Sequence, residues 1–219
     1  MELHTMESKA MLTPLVALKR STLVISFGAA LLICVAAWFT WQWYDNRYPT
    51  WDEEVQLSDG RVITVTQKHE YYDNYGTNQS WVTIDLPELG GKREWHSYLM
   101  PQRIDVHEGK IYLFGAPRGI RQYEYYRLPK PYLVAFQWDG KDFVRIPFLD
   151  VPLELRQQEN IYPCTPQPRQ SRLTLTYKAA QWCPERGDKW KFGKQINLQN
   201  YQELSLFYAG LANAKPISN

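Results

Sequence analysis

From Ser21 to Phe39 the chain reads STLVISFGAALLICVAAWF, 19 residues without a charge, and no other feature restricts its folding as strongly. At 1.5 Å per residue, about 20 helical residues cross a hydrocarbon layer of about 30 Å. A helix also satisfies its own N–H and C=O groups, as a lone segment in lipid must. The expectation is a retained transmembrane helix over residues 21–43. Segment 1–20 precedes it, and a tether over 44–51 and a domain over 52–219 follow. Lys9, Lys19 and Arg20 stand before the run, whereas Asp45, Asp52, Glu53, Glu54 and Asp59 follow it with Arg47 as the only nearby cation. The positive-inside rule then puts the N-terminus in the cytoplasm and the domain outside. Trp38, Trp41, Trp43 and Tyr44 would form an aromatic belt at the far end. Two alternatives are a signal peptide cut after Val35, Ala36 and Ala37, and lipidation at Cys34, against which the bulky Ile33 argues.

Charge excludes little beyond this. The 25 basic and 23 acidic residues nearly cancel, so nothing favours a nucleic-acid partner. Turn signals are more informative. Asp59-Gly60, Glu108-Gly109 and Asp139-Gly140 each separate β-favouring runs, and glycine accepts the positive φ of a tight hairpin turn. Further strands are expected at 81–85, 95–99, 120–126, 173–177 and around 190–198, with short helices at 153–158 and 201–211. The fold class expected is mainly β, an antiparallel sandwich or barrel-like meander after one transmembrane α-helix.

Two patches carry a resemblance. Trp51, Glu53, Glu54, Val55, Leu57, Asp59, Gly60, Arg61, Val62 and Ile63 form the first; the second comprises Pro131, Tyr132, Phe136, Asp139, Gly140, Phe143, Ile146, Pro147 and Pro152. Together they resemble a group of uncharacterised bacterial membrane-anchored envelope proteins with a β-rich exported domain. The resemblance implies a bacterial inner-membrane protein with a periplasmic domain, and transfers no activity or site residue.

The chemistry-bearing residues are few. Cys164 and Cys183 lie in the domain, and an oxidising compartment favours a disulfide between them, worth about 3 kcal/mol for a loop of this length. His4, His69, His96 and His107 follow no metal-ligand spacing, and no nucleophile elbow, Walker loop or nucleotide fingerprint is present. No cofactor, metal or catalytic residue is expected. Two tyrosine-rich segments suit recognition instead: Tyr71, Tyr72 and Tyr75 in a polar loop, and Arg121, Tyr123 and Tyr125 on an expected strand. Tyrosine combines contact area with a polar tip, and arginine adds donors and stacks on rings. Alternating tyrosines also fill sheet faces, and the Arg186, Lys189, Lys191 and Lys194 cluster reads as a solvated edge. The function expected is a non-enzymatic, membrane-anchored interaction or assembly protein whose partner is another envelope protein or cell-wall carbohydrate. An envelope hydrolase whose site forms only in the fold, or a carbohydrate-binding module, is the alternative.

Overall fold

The computed structural model describes residues 13–71, 77–166, 170–179 and 195–214, with side chains from Gly28 onward. The chain divides into two units, Met1–Asn46 and Arg47–Asn219. The first is dominated by helix α1, Thr13–Arg47. Among the described residues no helix is long and apolar enough to cross a membrane. Among the described side chains of α1 the unbroken apolar run extends from 28 to 39, after which Thr40, Gln42, Asp45, Asn46 and Arg47 enter the same helix. The side chains of 21–27, which opened the expected span, lie outside the described residues. The expected single-pass span, and the inner-membrane and periplasmic placement resting on it, are corrected accordingly. The tether also shortens, because α1 runs to Arg47 and strand β1 starts at Thr50.

The second unit carries nine strands among the described residues. Strands β1 (Thr50–Gln56), β2 (Val62–Tyr71), β3 (Thr77–Leu86) and β4 (Gly91–Ser97) form an antiparallel meander, and β9 (Arg172–Leu173) joins the outer edge of β1 in parallel. The second sheet is β5 (Met100–His107), β6 (Lys110–Ala116), β7 (Val134–Trp138) and β8 (Phe143–Ile146) in chain order. All three expected hairpins form. Glu108 (φ 50°) and Gly109 (φ 72°) are the two residues between paired His107 and Lys110, the geometry of a type I′ turn.

Burial explains the layering. On β1 and β3 inward and outward positions alternate, whereas β6 is buried from Ile111 to Ala116. The first sheet therefore has one covered face and the second has two. Val55, Val65, Val82, Ile84 and Trp95 meet Ile104, Leu113 and Val134 between the sheets. On the far side of the second sheet, Phe114 and Ala135 pack with Tyr123, Tyr132, Phe148 and Leu155, and with Tyr201 and Tyr208 of helix α4 (Leu198–Ala214).

Two expected strands are helical. Residues 120–126 contain helix α2, Ile120–Tyr125, and Leu175–Ala179 forms α3 directly after β9. Alternating tyrosines suggested a strand, but Tyr123 and Tyr126 are buried three apart, a helical spacing. The expected strand near 190–198 falls mostly outside the described residues, and its end, Leu198, begins α4. The 153–158 segment forms a 3-10 turn, Leu153–Arg156.

Where β5 and β6 cross Pro101, the backbones approach closely. A Cβ on Gly115 would overlap the Met100 carbonyl oxygen and lie 2.9 Å from its carbon, with backbone rather than a movable side chain in the way. Gly115→Ala is expected to lower unfolding free energy by about 2–3 kcal/mol; urea titration measures it, and an unchanged midpoint would refute the close approach.

Candidate functional site

The inner face of the first sheet changes character along its strands. Its apolar end faces the second sheet, while its other end presents Glu53, Gln67 and His69, all fully buried beneath segment 159–166. A buried loop must find partners for its backbone, and these side chains provide them. Glu53 accepts the Tyr162 N–H at 2.7 Å, and Gln67 Nε2 donates to the Tyr162 carbonyl at 2.9 Å. Lys178 of α3 donates to the carbonyls of Asn160 and Glu54, each at 2.7 Å, and its Nζ lies 2.5 Å from Glu53 Oε1. Both ends of that ion pair are 0% exposed. Burial lowers the Lys178 pKa, opposed by the charges of Glu53 and Glu54.

The network continues through Gln67 to His69. Gln67 Nε2 also donates to Glu53, so its Oε1 is left to accept from His69 Nε2 at 3.1 Å. Nδ1 then accepts from the Thr77 hydroxyl at 3.2 Å, which describes a fully partnered neutral imidazole. Burial, and then the charge of Arg118, hold His69 down to about 3.

The outer face is different. Register places Lys68, Trp81 and His96 side by side on β2, β3 and β4. Trp81 and His96 stack with centroids 4.6 Å apart and planes 9° from parallel, while Lys68 Nζ lies 4.8 Å from the indole centroid and 5.1 Å from that of Tyr48. Because β2 and β4 flank β3 on opposite sides, the indole is sandwiched and turns an edge outward. Contacts continue from His96 to Tyr98 (6.2 Å), Tyr125 (4.9 Å) and Tyr126 (4.9 Å), and Arg145 of β8 covers the Tyr126 ring at 5.7 Å. The band thus begins and ends under a cation. Buried Tyr126 anchors it, accepting the Tyr98 N–H at 3.1 Å and bonding to the Ser97 hydroxyl. His96 Nε2 meets Gln79 Oε1 at 2.7 Å; burial lowers its pKa, with Glu94 and Glu70 opposing and Lys68 assisting.

The sequence-selected residues separate on folding. Tyr125 is 64% exposed and belongs to the band, and Arg121 is exposed one turn earlier on α2. Tyr123 is a core residue, with tilted ring contacts to Tyr132 and Tyr208, and donates to the Ser205 carbonyl at 2.9 Å. Tyr71 bonds to the Thr165 hydroxyl, while Tyr72 and Tyr75 lie outside the described residues. Cys164 is buried beside Trp51 and Tyr162 and is disulfide-bonded, but Cys183 lies outside the described residues. The expected Cys164–Cys183 bridge therefore has one half outside the described residues; Cys34 is free and exposed. The basic cluster at 186–194 is likewise outside them. Lys68, Trp81, His96, Tyr98 and Arg145 are not apparent in the sequence as a group, because strand register joins the first three and packing against Tyr126 brings in Tyr98 and Arg145.

A separate cleft of about 510 Å³ lies between the turns at 58–61 and 106–109 and is lined by Glu88 and Glu154. His107 Nδ1 is 3.1 Å from Glu154 Oε1, and Nε2 is 4.0 Å from Glu108. Ser58 shares the cleft, but its hydroxyl bonds to Asp105 at 3.0 Å and not to His107. No three-member His/Cys/Asp/Glu group suited to a metal occurs among the described residues. No protein-family model, curated protein or solved structure matches the chain.

Two measurements test the buried network. Lys178→Met should cost about 3–5 kcal/mol by stranding Glu53, and Glu53→Gln/Lys178→Met should cost less than the sum of its parts; additive losses in urea titrations would contradict the pairing. His69 has a folded pKa below its unfolded value, so its stabilisation is complete above about pH 6.5 and is lost as pH falls toward 3. Wild type should therefore lose about 2–3 kcal/mol more than His69→Gln between pH 7.5 and 4.5. Parallel pH profiles for the two proteins would disprove a buried neutral histidine.

Proposed function

We propose that the chain is a non-enzymatic binding protein that recognises a polypeptide partner through the aromatic band. The supporting observation is continuity: half-buried and exposed rings from β3, β4 and α2 touch one another across the surface. Aromatic side chains dominate the centres of protein interfaces because they bury large areas with little rotamer entropy to lose. Such a surface supports an interaction or assembly role. The carbohydrate-binding alternative is less well supported, since a sugar ring stacks on an open aromatic face and both faces of Trp81 are occupied. The hydrolase alternative would use the His107 cleft, where Ser58 and His107 are bonded to different carboxylates.

A photoreactive residue at Gln79, beside the band, should capture specific protein partners in cells. Capture should fall at least about fivefold for Tyr98→Ala and Tyr125→Ala, with circular dichroism and thermal midpoint retained. Capture that is indifferent to both substitutions would refute the reading. Turnover of a hydrolase substrate abolished by His107→Ala would replace it with the enzymatic one.

A further inference from the structure

The far end of the band has a charge character that the nearly neutral chain does not share. Arg121 and Tyr125 stand four apart on α2 and therefore on one helical face. Arg127 follows the helix, Lys130 comes three residues later, and Arg145 reaches across from β8 to cover Tyr126. All four cations are exposed, and among the described residues none is ion-paired to a carboxylate. Between Pro117 and Pro131 the sequence offers them a single acid, Glu124.

Backbone conformation adds a second, independent observation. Arg127 (φ 56°) and Leu128 (φ 53°) are consecutive non-glycine residues in the left-handed region, which L side chains adopt reluctantly. Their N–H groups close α2 onto the carbonyls of Glu124 and Tyr123, each at 2.9 Å. Leu128 packs against the core below α2, which offsets its strain. Arg127 is exposed and gains no such packing, yet glycine would suit its φ better. Strain retained at an exposed, charged position is characteristic of a functional surface.

We infer that this surface takes an acidic segment of a partner polypeptide, with carboxylates on Arg121, Arg127 and Arg145 and an apolar side chain on Tyr125. The inference rests on the recognition reading above and adds the chemistry of the partner. Planar guanidinium groups pair with carboxylates through two parallel hydrogen bonds. The exposed ring of Tyr125 in their midst favours an amphipathic acidic peptide over a uniformly polar polyanion.

The test uses the full chain and fluorescence anisotropy with a labelled Glu- and Asp-rich peptide carrying spaced leucines. Arg121→Glu/Arg145→Glu should weaken binding at least about tenfold, and added salt should weaken wild-type binding. Arg127→Gly is the discriminating variant, since it should weaken binding while leaving the thermal midpoint unchanged or higher. Undiminished binding by both variants would overturn the inference. So would equal binding of heparin, single-stranded DNA or an acidic peptide without leucines, each of which would indicate a general polyanion surface. If charge reversal leaves cellular capture intact while Tyr98→Ala and Tyr125→Ala abolish it, the acidic-partner inference fails and the recognition reading stands. If neither set of changes affects capture, both fail.

Discussion

The arrangement of the domain depends on the buried pairing of Glu53 with Lys178. Two charges removed from water are costly unless each is surrounded by complementary groups, and here each is. Glu53 faces Lys178, the Tyr162 N–H, Gln67 and Trp51, while Lys178 reaches two backbone carbonyls besides. The pair joins β1, at the start of the domain, to α3, more than a hundred residues later. It also makes segment 159–166 a legitimate lid over a sheet, because the loop's polar backbone meets partners rather than hydrocarbon. Asn160 extends the same arrangement to the second sheet, accepting the Ile104 N–H at 3.0 Å and donating to the carbonyls of Ile104 and Gln56.

This interior sets what the exterior can do. With β1, β2 and β3 pinned from below, their register is fixed, and register places Lys68, Trp81 and His96 in one row. A slip of one residue would send those side chains inward and bring Gln67 or Val82 to the surface. The aromatic band is therefore the outer consequence of the same alternation that buries Glu53, Gln67 and His69. Its extension onto α2 depends on a different contact, the Tyr126 hydroxyl at the end of β4.

Some of this was legible in the residues. Asp-Gly and Glu-Gly pairs between β-favouring runs located three hairpins, because the positive φ of a tight turn is a local requirement that only a few residues meet. The helix over 198–214 was partly legible at 201–211, where no proline intervenes. Of the residues that the sequence suggests for binding, Tyr125 and Arg121 are exposed, whereas Tyr123 is core. Its phenol sits under α4, and nothing within several residues of Tyr123 encodes that neighbour. Helix α2 was misread as a strand for a related reason: tyrosine alternation and tyrosine burial at helical spacing look alike over six residues. The long apolar run suggested a membrane span, but among the described residues no helix meets that requirement.

By itself the sequence determined the local features: the positions of the turns, the β-rich composition, the near-neutral charge and the clustering of basic and aromatic residues between 118 and 130. These follow from preferences that act over two to ten residues. Tertiary structure alone decided the rest, including the burial of Lys178 against Glu53, the neutral state of His69 and the joining of Trp81, His96, Tyr98 and Tyr125 into one band. The reason is physical. Each of these features pairs groups from different strands, and their adjacency comes from strand register and from the burial of a polar loop, neither of which is written in any single segment.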